Sequence, residues 1–377
     1  MREKLTLAKV IYVVKLSLFV ICFWPQPKDA IKLKVICVAL YQYFSILLHL
    51  SLALSLMNTV KNHLNNHIIM AEAIIIICAT MHAICNIVVY RINLHHLQSI
   101  IFEMENFYKL IKPHEEAILQ KYISKCVIFY GGSLINVYLF TIIFICGPVT
   151  LNQPFPTMAE YPFDVSYQPM KTIVYAHQSI CALQAASHIC INIFTSLLLW
   201  FTSARFELLT ENLRAIRNIY DLMKCIQEHQ KLLKYTEQVI RVIRPFAFIV
   251  VCCSTSALII LGLVFITEQR LSIKIQCVGL ICSGLSEVFM HTWPAEHLIY
   301  ICNKIGEAVY SAKWYKHSVE LQKSVQIMLM RAQKPLTIMI PCVMPSLSLS
   351  YYASYLSTIF SYFTTLRIFM QSNQNVD

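Results

Sequence analysis

Seven stretches of this chain are long and apolar enough to cross a lipid bilayer as helices. The hydrocarbon core is about 30 Å thick, so a spanning helix needs about 20 mostly apolar residues. The predicted spans are residues 35–57, 68–90, 123–146, 174–202, 246–267, 273–292 and 343–370. The sixth is the least regular, because Glu287 and His291 stand near its end, and six or eight spans remain alternatives. The pattern predicts an all-helical membrane protein with seven transmembrane helices.

The composition favours a single compact membrane unit over residues 1–377. Hydrophobic residues make up 57% of the chain and charged residues 14%, too little charge to cover a soluble domain of this size. Only 7 glycines are present, so flexible linkers between separate domains are not expected.

The first apolar stretch, residues 5–24, differs from the spans. Lys9 and Lys15 interrupt it, and WPQP follows it instead of a small-residue cleavage site. The pattern favours an amphipathic helix that lies on or dips into the cytoplasmic face, within a cytoplasmic segment 1–34. A cleaved signal peptide is the alternative.

Basic residues predict the orientation of the chain. All but five of the 31 Lys and Arg residues lie before the first span, near 90–125, in 203–245 or in 293–342. Because basic loops stay in the cytoplasm, the amino terminus is predicted to be cytoplasmic and the carboxyl terminus extracellular. The net charge of +11 then needs no nucleic acid partner. A receptor coupled to a G protein has the opposite orientation, so no G protein is expected.

Two cytoplasmic segments carry apolar residues at helical spacing. In 203–245 they include Phe206, Leu209, Leu213 and Ile216, and in 293–342 they include Leu321, Val325 and Met328. Both segments are therefore predicted to be amphipathic helical extensions of the bundle, an intracellular anchor region. Their apolar faces either pack within one subunit or also contact other subunits.

The chemistry-bearing residues do not form a pattern of catalysis. The 15 cysteines lie mostly in apolar runs, and no paired CxxC motifs suggest a zinc site. His82, His177, His188 and Glu287 form none of the hydrolase or metalloprotease motifs. The chain is not expected to be an enzyme or to hold a metal or other cofactor. A membrane transporter is the alternative, although no repeat between halves is evident.

The last predicted span carries a stripe of small hydroxyls. Its members are Ser354, Ser357, Thr358, Ser361, Thr364 and Thr365, most of them three or four residues apart. Such a stripe either packs closely against another membrane helix or faces water in a pore.

Several motifs resemble the insect odorant receptor family. The carboxyl-terminal set is the most specific: IGEAVYSAKWY (305–315), MLMRAQKPL (328–336) and SLSLSYYASYLSTIFSYFTTLR (346–367). Supporting pieces occur in the family's order, namely FWP (23–25), YPFDVSYQP (161–169) followed by Tyr175 and Gln178, and HQKLL (229–233). The ending lacks the Gln of the TY-x5-QF motif of gustatory receptors, a related alternative. The resemblance covers nearly the whole chain.

The resemblance implies an odorant-gated, non-selective cation channel in the plasma membrane of olfactory sensory neurons. Family members form fourfold assemblies in which a tuned subunit joins odorant co-receptor subunits, cytoplasmic helix ends form an anchor, and the last helix lines the pore. This chain lacks the long second intracellular loop of the co-receptor and so is similar to a tuned subunit. It departs from the family at three positions of the last span. The family more usually has Lys in place of Ser357, Ser or Ala in place of Ile359, and Leu in place of Thr365.

The site residues follow from the topology and the resemblance. The odorant, a small volatile apolar molecule, is expected in the outer halves of spans two, three, four and six. The candidates are Ala71, Ile74, Ile75 and Cys78; Asn136, Val137, Tyr138 and Phe140; Tyr175, Ser179, Ala182 and Leu183; and Gln276, Gly279 and Leu280. The pore and gate candidates, which would contact permeating cations, are Ser354, Ser357, Ser361, Thr364, Thr365, Leu366 and Ile368.

Overall fold

A computed structural model gives the fold of the chain. It describes residues 6–27, 30–151, 153–216, 218–267, 270–311, 314–316, 318–334, 336–340 and 345–374. The elements in these ranges are helices α1 (Leu7–Ser17), α2 (Lys32–Asn62), α3 (His67–Lys109), α4 (Pro113–Leu151), α5 (Met170–Arg214), α6 (Ile219–Thr267), α7 (Leu271–Ser311), α8 (Val319–Ala332) and α9 (Leu349–Gln374), with a 3-10 turn at Trp314–Lys316. The predicted all-helical class is confirmed.

Six of these helices, α2 to α7, are long and apolar enough to cross a membrane. They contain the first six predicted spans. The helix α9 overlaps most of the seventh predicted span, 343–370, but begins six residues later, and residues 343 and 344 lie outside the described residues. The Ser, Thr and Tyr residues along α9 lower its hydropathy. Several helices are far longer than a bilayer requires: α3 has 43 residues, α5 has 45 and α6 has 49. At 1.5 Å per residue their ends project beyond the hydrocarbon core.

Successive helices run in opposite directions, which gives the bundle two distinct ends. Residues 153–169 lie at one end, called here the loop end, where α2, α4 and α6 finish. Helix α8 lies at the other, called here the α8 end. The central helix is α5, which packs against α2, α3, α4, α6 and α7 and is buried along most of its length.

Local sequence signals set several helix starts. The Asn66 side chain accepts hydrogen bonds from the backbone N–H groups of Ile68 and Ile69, which caps α3. At the start of α9, the Ser348 hydroxyl accepts from the backbone N–H of Tyr351, and the Glu296 carboxylate accepts from that of Leu349. The second contact fixes the first turn of α9 to α7.

The main hydrophobic core lies towards the α8 end. Phe23 packs edge-on against Phe246 of α6, and Trp24 packs in the same way against Phe194 of α5. Leu321 and Val325 of α8 are buried in this same core. The apolar face predicted for α8 is therefore covered by its own chain. Of the two alternatives, that face packs within one subunit.

A charged cluster braces α3, α5 and α6 near the same end. The Arg205 guanidinium lies 2.6 Å from the Glu103 carboxylate and over the rings of Phe107, Phe201 and Tyr235. Ion pairing and cation–π contacts together hold a mostly buried charge in place. The long helical extensions are thus joined to one another beyond the spans.

Candidate functional site

Helix α9 lies on the outside of the bundle, against α6 and α7. Its buried residues, Tyr355 and Ile359, pack against Val250 and Leu258 of α6 and Val288 of α7. Tyr352 donates a hydrogen bond to the backbone carbonyl of Leu285, 3.2 Å away. These contacts define the inward face of α9.

The hydroxyl stripe occupies the opposite face of α9. Ser354, Ser357, Thr358, Ser361, Thr364 and Thr365 are all exposed on the surface of the chain, as is Ile368. The Leu366 side chain lies outside the described residues. Within the described chain, no helix covers this face, so the stripe does not serve to pack α9 on its own subunit.

Four of the six hydroxyls donate within α9. Thr358 donates to the carbonyl of Ser354 at 2.9 Å, and Thr365 donates to the carbonyl of Ser361 at 2.9 Å. Ser354 and Thr364 donate to α9 carbonyls in the same way, so these four donors need no partner from another helix, while the oxygen lone pairs stay available on the outside. The face can accept hydrogen bonds or approach a hydrated cation.

A close contact seats α9 on α6. A side chain added at Gly262 would overlap the Phe363 ring. The glycine thus lets the ring lie directly against the α6 backbone. About two turns closer to the α8 end, the Thr255 hydroxyl donates to Tyr355 at 3.3 Å.

The predicted ligand residues on α3 face α6 and α7. Ala71 is buried with Leu261 and Val264 of α6 and Cys277 of α7, and Ile75 packs on the same cluster. Ile74 and Cys78 are half-buried. The predicted α7 residues Gln276, Gly279 and Leu280 are exposed on the surface of the chain.

Two predicted ligand tyrosines join elements to one another. The Tyr138 hydroxyl donates to the carbonyl of Ser17 at 2.7 Å and lies 3.0 Å from the Ser187 hydroxyl, linking α4 to α1 and α5. Tyr175 donates to the carbonyl of Ile145 at 2.6 Å, linking α5 to α4.

The other predicted ligand residues on α4 and α5 divide by exposure. Asn136 and Phe140 are exposed, whereas Val137, Ser179, Ala182 and Leu183 are half-buried.

Two clefts of about 550 and 570 Å³ open at the loop end. Their walls come from α2, the first turns of α3 and α5, and residues 154–165, and none of the predicted ligand residues lines them. Glu160 and Tyr161 border both clefts. Neither hydropathy nor the topology predicts these clefts, although the YPFDVSYQP motif forms part of their wall.

Residues around Glu160 clasp the loop to α2 and α5. The Glu160 carboxylate accepts from Asn62 at 2.6 Å and lies 2.6 Å from the His63 ring. The hydrogen bonds from Asn62 and then His63 lower the pKa of this carboxyl. On the α5 side, the Gln178 amide oxygen accepts from the backbone N–H of Thr157.

A layer of buried polar side chains crosses the middle of the bundle. His49, His188 and Gln184 are each fully buried, and the Gln184 amide donates to Tyr41 and Ser45. Deeper along α5, the Asn192 amide oxygen lies 3.1 Å from the His291 ring. Polar residues recur at helical spacing in 184–192, and this pattern could have predicted the layer. Mean hydropathy does not reveal it, because the surrounding residues are apolar.

Comparisons with known proteins agree with this architecture. A family model described as "7tm Odorant receptor" matches residues 66–360. The chain is 27% identical over 161 residues to Odorant receptor 24a of Drosophila melanogaster, and 31% identical over 157 residues to Odorant receptor 67c of the same species. These alignments cover 41% of this chain in both cases, and 40% and 38% of the relatives, less than half of their length.

A solved structure matches over almost the full length. The olfactory receptor OR5 of the insect Machilis hrabei, determined in complex with eugenol, superposes with a TM-score of 0.81 at 17% identity. The match covers 96% of this chain and 98% of that one. Since the family model spans more than three quarters of the sequence, from α3 into α9, this chain belongs to the odorant receptor family of membrane proteins.

Proposed function

We propose that this chain is a subunit of an odorant-gated cation channel in the plasma membrane of olfactory sensory neurons. The observation that carries the proposal is the uncovered hydroxyl face of α9. A membrane helix packed on its own subunit along only one side, with six small hydroxyls on the other, is suited to line water between subunits. Membership of a receptor family agrees with the expectation that the chain is not an enzyme.

The ligand is a small odorant held among the spanning helices. The proposed contact surface is the predicted set on α3, α4, α5 and α7, of which Ala71 and Ile75 already lie beside α6 and α7. The similar olfactory receptor of Machilis hrabei was solved with eugenol, a small aromatic molecule, and this supports a ligand of comparable size.

The partners are co-receptor subunits in a heterotetramer. Functional expression tests the proposal: cells that express this chain together with the co-receptor should give odorant-evoked cation currents across part of a broad odorant panel. Cells that express the co-receptor alone provide the control. An identical response profile with and without this chain would contradict its role as the tuned subunit.

The proposed orientation places the amino terminus in the cytoplasm and the loop end outside. Five basic residues on the predicted outer side against all the rest on the inner side support it. A tag on Asp377 should be reached by antibody on intact cells, and a tag on Met1 only after permeabilisation. Staining of the Met1 tag on intact cells would overturn both the orientation and the assignment of α8 to the cytoplasm.

Contacts between subunits at the α8 end are proposed to use the exposed face of α8. Val319, Ile327 and Met330 are each more than 60% exposed and share one side of the helix, with Lys323 among them. Three large apolar side chains on one exposed stripe favour a protein contact over free solvation. The opposite face is already occupied by the chain's own core.

Charge on that exposed face is expected to block assembly. Met330→Glu should reduce co-purification with the co-receptor by about tenfold or more. A loss of about 1.4 kcal/mol in the free energy of association is enough to weaken binding tenfold. Lys323→Gln, which changes charge on the same stripe without adding a buried carboxylate, is the matched control. Val325→Glu should instead lower total expression, because Val325 is 2% exposed within the subunit. Normal co-purification of Met330→Glu would show that this face is not a subunit contact.

A further inference from the structure

One carboxylate of α7 lies deep within a membrane-spanning segment. Glu287 is 16 residues beyond Leu271, which begins α7 at the loop end. At 1.5 Å per residue it lies about 24 Å along the helix. Carboxylates at such positions are costly, and they commonly mark binding sites or ion pathways. The role of Glu287 therefore depends on which group binds its carboxylate.

The chain itself supplies Glu287 with little to bind. The Ser254 hydroxyl of α6 donates to its carboxylate at 3.5 Å, a long hydrogen bond. Among the described residues, no Lys, Arg or His nitrogen lies within 4.0 Å of it, and the ion pairs that the structure describes use Glu103, Glu160 and Glu207 instead. A negative charge there lacks a positive counterpart.

The cysteine and tyrosine side chains near Glu287 are either neutral or negatively charged. Cys253 of α6 and Tyr355 of α9 both lie close enough for their charges to interact with it. Across from α6, Cys78 and Cys85 of α3 approach Cys253 in turn. None of these side chains can become positively charged, and the His291 ring, one turn further along α7, lies 3.1 Å from the Asn192 amide oxygen instead.

Glu287 continues the α7 face that is expected to contact the odorant. Gln276, Leu280, Ser283 and Glu287 follow one another at steps of four, three and four residues, which places them on one side of the helix. Glu287, a half-buried residue, lies at the inner end of this side. A molecule lying along this face would contact Leu280 and the polar side chains of Gln276 and Ser283, with a carboxylate at its inner end.

We propose that Glu287 binds the ammonium group of a small aliphatic amine, which makes amines a ligand class of this subunit. The inference rests on the proposed function, and it extends the ligand site from the outer half of α7 inwards to Glu287. A hard metal ion fits less well, since calcium takes six to eight oxygen ligands and this face offers one carboxylate, one amide and one hydroxyl spread along three turns. An alkylammonium ion needs one charge partner and apolar contact for its tail.

The position of Glu287 also connects ligand binding to α9. Tyr355 of α9 interacts with Glu287, and Tyr352 donates to the α7 backbone at Leu285. An ammonium ion that neutralises the carboxylate changes the charge beside the buried side of α9. Binding at the inner end of the face therefore acts directly on the helix proposed to line the pore.

The test compares hexylamine with hexan-1-ol, which has the same chain length without the positive charge. In channels formed with the co-receptor, Glu287→Gln should weaken the response to hexylamine by about tenfold or more, corresponding to 1.4 kcal/mol. The response to hexan-1-ol should change by less than about twofold. Glu287→Asp, which keeps the charge, should retain the amine response. Glu72→Gln, on the outer part of α3, is the matched control and should leave amine selectivity unchanged.

A binding measurement separates this inference from channel activity. Hexylamine should raise the melting temperature of the purified wild-type complex and of Glu287→Asp, but not of Glu287→Gln. If no ligand evokes current while this stabilisation is seen, the channel proposal fails and the inference stands. Equal losses for amine and alcohol, no response or stabilisation by amines in wild type, or an amine effect that survives Glu287→Gln would each overturn it. A shifted reversal potential in Glu287→Gln with intact amine binding would assign the carboxylate to permeation instead.

Discussion

Replacing Gly262 with leucine is expected to abolish ligand-evoked current while the protein still reaches the membrane. The Phe363 ring of α9 occupies the space that any side chain at position 262 would need. Overpacking of a formed contact costs about 1–3 kcal/mol. Because the described contacts hold α9 to its own subunit along the α6 and α7 side, the strain is relieved by moving α9 rather than by unfolding α6.

The Phe363 ring provides an internal check on that explanation. Gly262→Ala should reduce maximal current less than Gly262→Leu, because a ring can move away from one methyl group. Gly262→Ala combined with Phe363→Ala should recover part of the lost current, since the second change removes the atoms that clash. Patch-clamp recording with surface labelling separates gating from expression.

A glycine in open surroundings supplies the matched control. A side chain at Gly132 of α4 would meet nothing within 4 Å. Alanine is more favourable than glycine in a helix by about 1 kcal/mol, so Gly132→Ala should leave current and expression unchanged or improved. If Gly262→Leu carries normal current, or if Phe363→Ala gives no recovery, the contact between α6 and α9 does not control the position of the pore helix.

Much of the bundle could be predicted because hydropathy reports directly on the bilayer. The six apolar helices are where the sequence placed them, and the stripe on α9 was correctly expected to share one face. Extensions such as 219–245 of α6 needed a second signal, the 3.6-residue spacing of apolar residues, because charges interrupt their hydropathy. Hydropathy and helical spacing are both local signals, and the helices that they predict are present in the structure.

Other features depended on contacts that a local pattern does not encode. Hydropathy does not distinguish a side chain that meets lipid from one that meets protein, so Ala71 of α3 and Leu280 of α7 are both simply apolar in sequence although the first is buried and the second exposed. The hydrogen bond from Tyr138 to Ser17 required the position of α1, which an amphipathic pattern leaves open. The Glu160 clasp joins residues about 100 positions apart and has no local signature.

An aspartate at Ser361 is expected to change ion permeation and not ligand recognition. Ser361 is exposed on the hydroxyl face, near the middle of α9 and one turn before Thr364 and Thr365. If this face lines water, a carboxylate there attracts cations in a low-dielectric passage and binds divalent ions more strongly than monovalent ones. The expected result is increased block by external divalent cations, with odorant potency unchanged.

Neighbouring positions show whether the effect depends on the pore. Ser354→Asp lies about two turns further from the loop end and should be less sensitive to external divalent ions, because they must travel further to reach it. Phe360→Asp, on an exposed side chain beside the stripe, tests whether any charge on the outer surface of α9 has the same effect. Thr365→Leu adds apolar surface near the outer end, where dewetting closes a narrow pore, and should lower the current without ligand.

The alternative role for the stripe is packing against a neighbouring subunit, and it leads to a different result. A carboxylate forced into a contact between helices lacks water and a counter-charge, so Ser361→Asp would then reduce assembly or surface expression. Channels that did assemble would keep their selectivity. Reversal potentials in mixed monovalent and divalent solutions, recorded at matched surface expression, distinguish the two roles. Unaltered selectivity and block in an expressed Ser361→Asp channel would place the hydroxyl face against protein and the pore on another helix.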